Sequence, residues 1–403
     1  MTISFAPAPA LDDDRIPLRA AIAGTLFRRA AGRLPLRVAY PDGTVTGTTG
    51  PVMRLYRPGA FLRRVGADGL IGFGEAYQAG DWDSDELVEL LTVFARKMAG
   101  LIPPRLQRFR GLLVKRAPRA SRNTLDGSRR NVHHHYDLSN ELFALFLDPS
   151  MSYSAALFDS FDEDFTVAQH RKIDRLLDRT GVGAGTRVLE IGTGWGELAI
   201  RAARRGARVA SVTLSPEQRS LALRRAAEAG VVDRVDVRLR DYREIEPVAG
   251  GFDAVLSVEM IEAVGASYWP AYAAALDRHL APDGRIGLQM ITMAHERMRA
   301  TRNAYTWIHK YVFPGGLVPS VPAITEILAG AGLSIEDRLD FGPHYAETLK
   351  RWRTAFRARA GQVGELGFDE RFRRTWNFYL AYCEAGFASG YLDVCQLIAR
   401  RTR

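Results

Sequence analysis

The stretch "VLEIGTGWGELAI", residues 188–200, decides how this chain is read. An apolar run (Val188, Leu189, Ile191) enters a turn with Gly192, Gly194 and Gly196, and an Ala/Ile-rich helical pattern leaves it. Strand, glycine turn and helix in that order aim backbone N–H groups at a ligand from a helix N-terminus. A dinucleotide fingerprint would need glycine at 197, where the chain has Glu197. A second acid, Glu190, precedes the loop, placed for a cationic or amino-bearing ligand. The same turn also serves as a plain connection in many α/β proteins, so its meaning rests on its surroundings.

Around the loop, strands are predicted at residues 186–191, 208–214, 235–240, 254–258 and 284–290, with helical patterns between them. That alternation predicts an α/β fold with a doubly wound parallel sheet, its ligand at the carboxyl ends of the strands. The second strand ends in "VTLSPEQ", offering Thr213, Leu214 and, one turn later, Gln218, but no acid for a dinucleotide ribose. The third ends in "DYRE", with Asp241 as acceptor and Tyr242 as aromatic neighbour for a flat heterocycle. Together these groups suit S-adenosylmethionine rather than a nicotinamide dinucleotide.

A chain of 403 residues suggests two domains. The formal charge of +9 is carried almost wholly by arginine and suits an anionic membrane surface or a nucleic acid. Two cysteines, Cys383 and Cys395, support neither a disulfide framework nor a thiolate metal site, so no metal and a reduced, cytoplasmic compartment are expected. The opening "MTISFAPAPALDDDR" lacks a signal-peptide layout, and no apolar run approaches the roughly 20 residues that span a bilayer. Patterning divides the chain into a lead-in (1–20), a small α+β domain (21–104), a basic linker (105–130) and a larger α/β domain (131–403). In the α+β part, Asp42-Gly43 marks a hairpin, and Ser84 is a candidate cap for a helix burying Leu87, Leu90, Leu91 and Phe94. The linker holds nine Lys/Arg against one acid, and "LQRFRGLLVKR" mixes apolar residues with them. It reads either as a solvated connection or as a strip on anionic lipid.

Beyond the loop, "NVHHHYDLSNELFALFLDPSMSYS", "VTLSPEQ", "DYRE", "SVEMIEAVG", "YVFPGGLVPS" and "FGPHYAETLKRW" follow one another as in cyclopropane-fatty-acid synthases and mycolic-acid methyltransferases. The resemblance runs from about residue 131 to the C-terminus. "GLIGFGEAYQAGDWDSDEL" extends it to the front domain of phospholipid-acting members, most closely the actinobacterial methyltransferases of the tuberculostearic-acid pathway. It implies a class I S-adenosylmethionine methyltransferase domain with a lipid-engaging N-terminal domain. The implied reaction is methylenation of a phospholipid-bound oleoyl chain, at the inner face of the cell membrane. A separate flavin-dependent reductase would saturate the product, and a homodimer is implied by analogy. For the cofactor, the resemblance implies Tyr153 and Ser154 at the methionine end, the three glycines and Glu190 at the loop, Thr213, Leu214 and Gln218 at the ribose, and Asp241 and Tyr242 at the adenine.

In the resembling synthases a bicarbonate ion removes the final proton, held by a Cys, a Glu, a His and a Tyr. This chain keeps the Glu as Glu262 and the Tyr as Tyr345, but has Ala155 for the Cys and Gln289 for the His. Ala263 also replaces a histidine that often follows the Glu. Two accounts stand: Gln289 still donates to bicarbonate, or the anion is absent and Glu262 acts as base directly or through water. Tyr153, Tyr345 and Phe313 are candidate aromatic faces for a carbocation. Cys383 matches a family cysteine once regarded as catalytic, and a structural cysteine reads equally well. A slower or displaced base favours a methylene product over a cyclopropane. Two rivals are a nucleic-acid methyltransferase, for which the D/N-P-P-Y/F motif and a cysteine pair are missing, and a non-catalytic lipid-binding protein. The run His133, His134, His135 diverges in direction on a helix and is read as structural.

Overall fold

The computed structural model describes residues 18–101, 118, 123, 124, 127 and 139–402. The "LQRFRGLLVKR" strip, most of the lead-in and linker, and the three adjacent histidines lie outside the described residues. The chain divides into two compact units, one of residues 1–117, 304–312 and 349–391, the other of residues 118–303, 313–348 and 392–403. Patterning had assigned the segments 304–312 and 349–391 to the larger domain. They join the first unit because the Glu370–Ala388 helix buries aromatic side chains there. Phe378 lies 5.0 Å from Tyr77 and 4.8 Å from Trp307, and Gln78 donates to Thr375 at 2.8 Å. No local periodicity announces a pairing across some 300 residues.

The first unit carries a four-stranded sheet of β1 (Arg37–Ala39), β2 (Val45–Thr46), β3 (Val52–Leu55) and β4 (Trp82–Asp83), in the order β2-β1-β3-β4. The hairpin at Asp42-Gly43 forms: Val38 pairs with Thr46, and Gly43 takes the positive φ the turn needs. The helix after β4 starts at Leu87, and the Ser84 hydroxyl accepts from the Glu86 N–H in the preceding turn. Glu75 is buried here against Lys310 and the Tyr311 hydroxyl.

The second unit is built on seven strands: β5 (Arg187–Ile191), β6 (Arg208–Thr213), β7 (Val235–Leu239), β8 (Phe252–Val258), β9 (Leu280–Thr292), β10 (Leu333–Asp340) and β11 (Asp393–Arg401). Their order is β10-β11-β9-β8-β5-β6-β7. The five strands read from patterning are present and parallel. Two more, β10 and β11, complete the sheet, and β11 runs antiparallel to both of its neighbours. Apolar residues fill both faces, as a helix-covered parallel sheet requires. Val188 packs with the helices Phe165–Arg179, Glu197–Arg204 and Pro216–Glu228 on one face, while Leu189 and Ile191 join the core on the other. Strand order reverses between β5 and β8, which opens the crevice into which the glycine loop projects.

Candidate active site

The glycine loop leaves β5 at its carboxyl end. Gly192, Gly194 and Gly196 all have positive φ, and Gly196 caps the Glu197–Arg204 helix at φ 91°. A Cβ at Gly196 would stand 2.9 Å from the Ala222 Cβ, and one at Gly192 would stand 2.6 Å from the Met260 Cγ. A Cβ at Gly194 would meet nothing within 4 Å, so that part of the turn borders open space. Ser215 caps the next helix by accepting from the Gln218 N–H, with Pro216 at its first position.

Polar side chains also stand at the carboxyl ends of β6 and β7. Thr213 donates to the Gln218 side chain at 2.8 Å, and Leu214 follows beside them. Asp241, almost fully buried, receives the Arg243 N–H and Nε on Oδ1 and Nη2 on Oδ2, at 2.7–3.0 Å. Oδ2 therefore keeps a lone pair for an amine. Tyr242 packs edge-on to Tyr272, and burial raises its hydroxyl to about 12. Tyr153 lies edge-on to Phe143, while Ser154 receives the buried Lys172 ammonium. These groups suit S-adenosylmethionine: the turn is open at Gly194, and acceptors stand at the ends of the first three strands.

Glu190 is 3% exposed, and its Oε2 accepts from Ser211 at 2.5 Å. Burial lifts its pKa to about 8, with Ser211 opposing the shift. The folded protein thus holds this proton more tightly than the unfolded chain. Its stabilisation is complete below about pH 4.5 and is lost as pH rises through about 8. Urea midpoints of the unliganded protein should fall from pH 5 to pH 8, and Glu190→Gln should fall less. Equal slopes for the two proteins would show that Glu190 stays ionised when buried.

Of the four candidate catalytic residues, Glu262, Gln289 and Tyr345 belong to the second unit and Cys383 to the first. Gln289, on β9, and Tyr345 converge on Glu259, an acid that patterning passed over. Glu259 Oε1 accepts from the Ala155 N–H at 2.9 Å and the Gln289 amide at 2.8 Å, and Oε2 accepts from the Tyr345 hydroxyl at 2.7 Å. Glu259 follows β8 with φ 51°, a left-handed backbone that costs a non-glycine residue about 1–2 kcal/mol. The signal available in the sequence was its place, a carboxylate just past a strand end beside the crevice. Glu262 points elsewhere: the Ile291 N–H donates to its Oε1, while Oε2 is buried without a hydrogen-bond partner among the described residues. Burial, then the charge of Glu259, lifts Glu262 to about 8. Phe313 sits half-buried in the turn before Leu317, whose N–H donates to the Glu262 carbonyl. Cys383 belongs to the first unit, not the one holding Glu259, and burial raises its thiol to about 12. It is no ready thiolate.

Bicarbonate fits this arrangement poorly, because the Ala155 N–H, Gln289 and Tyr345 already bind a side-chain carboxylate. Among the described residues no cluster of metal-ligating groups occurs, and no helix is long and apolar enough to cross a membrane.

Sheet order, glycine loop and the acceptors at the strand ends define a class I S-adenosylmethionine-dependent methyltransferase. The chain belongs to the mycolic acid cyclopropane synthetase family, whose sequence pattern matches residues 123–397. It is 50% identical to a tuberculostearic acid methyltransferase of Mycobacterium tuberculosis, over 98% of this chain and 97% of that one. It is 32% identical to a cyclopropane-fatty-acyl-phospholipid synthase of Escherichia coli, over 89% and 90% of the two chains. A crystal structure of a mycolic acid cyclopropane synthase complexed with SAH and CTAB covers 68% of this chain and 98% of its own, at 31% identity and a TM-score of 0.63.

Proposed function

We propose that this enzyme methylates the double bond of an oleoyl chain carried on a phospholipid and forms the 10-methylene-stearoyl lipid, precursor of 10-methylstearic (tuberculostearic) acid. The near full-length likeness to a tuberculostearic acid methyltransferase carries the reading. S-adenosylmethionine supplies a sulfonium methyl group. The loop glycines, Glu190, Thr213, Gln218 and Asp241 would hold it, with Tyr153 and Ser154 at the methionine end.

An isolated alkene is a weak nucleophile, so the protein's part is to exclude water and press the alkene against the methyl carbon. Attack leaves positive charge on the neighbouring alkene carbon. The half-buried ring of Tyr153 and the buried ring of Tyr345 are faces that can stabilise it. A hydride shift followed by proton loss from the new methyl gives the exocyclic methylene. That product still carries a double bond, so a separate reductase, flavin-dependent by the family resemblance, would have to saturate it.

Access from a bilayer surface accords with the first helix, Leu18–Ala31. Its Leu18, Ile22 and Leu26 are exposed at successive four-residue steps, with Arg19, Arg28 and Arg29 exposed on the same helix. An apolar stripe beside arginines suits an anionic headgroup layer.

Purified protein incubated with S-adenosylmethionine and oleoyl-phospholipid vesicles tests the whole reading through the proton NMR spectrum of the released fatty acid. Vinylidene signals are expected, and the protein should pellet with the vesicles. High-field cyclopropane signals would overturn the methylene assignment. Absence of either product would overturn the acyl-methylation reading.

A further inference from the structure

We infer that Glu259 is the proton acceptor of this reaction, its carboxylate filling the seat a bound bicarbonate would need, so that the enzyme carries its base within its own chain. The inference rests on the acyl-methylation reading given above.

Three donors from three parts of the second unit meet on this carboxylate: the Ala155 N–H, the Gln289 amide and the Tyr345 hydroxyl. The direction of the Gln289 amide is fixed from behind. Arg175 can only donate, and its Nη1 gives to Gln396 Oε1 at 2.9 Å. The Gln396 NH2 then gives to Gln289 Oε1 at 3.0 Å, which leaves the Gln289 NH2 facing Glu259 at 2.8 Å. Arg175 is itself anchored on Asp337 at 2.6 Å. A chain of donors running from an arginine ends on Glu259 Oε1 as acceptor, an arrangement that favours the ionised form a base requires. Histidine at 289 would donate to an anion equally well; only this amide relay sets one direction.

The charged and titratable groups around Glu259 are Lys172, Glu262 and Tyr345. Burial raises the Glu259 pKa, while Lys172 and the three hydrogen bonds oppose the rise. Among the described residues, the non-glycine residues with positive φ are Met151 and Glu259. Backbone strain of this kind persists where the surrounding structure holds it and collects at active sites.

The step balances. The alkene π pair forms the new C–CH3 bond as the methyl–sulfur bond breaks, leaving the thioether and a carbocation. A hydride moves from the methylated carbon to its cationic neighbour. Glu259 then takes a proton from the new methyl group, whose C–H pair becomes the exocyclic π bond, and ends as a neutral acid.

The test uses full-length protein in bicarbonate-free buffer with S-adenosylmethionine and oleoyl-phospholipid vesicles. Wild type should turn over equally with and without added bicarbonate. Glu259→Gln should lose on the order of a thousandfold in kcat, within the general-base range, with S-adenosylmethionine affinity changed less than threefold. Glu259→Gly, which suits the left-handed backbone and empties the seat, should be inactive until bicarbonate or formate is added, and then recover saturably. A wild type that requires bicarbonate, or a Glu259→Gln variant within tenfold of it, would overturn the inference. Carbon-13 bicarbonate binding, followed by NMR, decides the question without turnover. Saturable binding to Glu259→Gly alone supports the inference even if no lipid product forms, whereas binding to wild type overturns it.

Discussion

Replacing Asp241 with alanine should destabilise the protein by about 3 kcal/mol, since removing the buried carboxylate of an ion pair takes away the charge that compensates its partner. It should also weaken S-adenosylmethionine binding by roughly 10–100-fold, the worth of a hydrogen bond to a charged group. Asp241 is 2% exposed and holds Arg243 through both carboxylate oxygens while capping the turn Tyr242–Glu244. Without it, the Arg243 guanidinium would lose its contacts with both carboxylate oxygens, while the Asn123 carbonyl, at 3.2 Å, and the rings of Tyr242 and Tyr268 stay among its partners. Asp241→Asn keeps one acceptor oxygen and the shape, so its losses should be smaller on both counts. Urea unfolding and calorimetric titration with S-adenosylmethionine separate the two effects. An unchanged cofactor affinity beside lowered stability would reduce Asp241 to an anchor for Arg243.

Lys172→Met should lower kcat on the order of a hundredfold at neutral pH and move the acid limb of the pH–rate profile upward. Lys172 is 2% exposed, gives a hydrogen bond to Ser154, and is faced by the charges of Glu259, Asp148 and Glu197. Burial depresses its pKa to about 8, so it is a cation over most of the physiological range. Its charge favours the ionised Glu259. Methionine fills similar space without that charge, so Glu259 should hold its proton to higher pH and act as base over a narrower range. Lys172→Arg keeps the charge in a bulkier group and should move the limb less. A profile unmoved in Lys172→Met, with kcat intact, would mean that Lys172 only supports Ser154.

The class of the second unit was legible because its signals are local. Five parallel strands announce themselves as short apolar runs, and the glycine turn between strand and helix has a fixed backbone demand at 192, 194 and 196. Side chains at the strand ends, Thr213 and Asp241 among them, could be placed at the crevice from topology alone. β10 and β11 escaped. β10 alternates apolar with charged residues and, at the sheet edge, buries little, while β11 lies some fifty residues further on.

The sequence by itself determined the parallel sheet, the cofactor loop and the absence of cysteine and histidine at 155 and 289. The tertiary structure decided which acid those altered positions serve. Glu259 and Glu262 are three residues apart on one turn, and the pattern of the chain made Glu262 the conspicuous one. The left-handed backbone at Glu259 turns its carboxylate toward Ala155, Gln289 and Tyr345, whereas the Glu262 carboxylate meets the Ile291 N–H. It likewise moved residues 349–391 into the first unit, where the Glu370–Ala388 helix buries its aromatic face. Both outcomes have one cause: a buried polar or aromatic group takes the partner the whole fold brings near, and sequence spacing does not encode that distance.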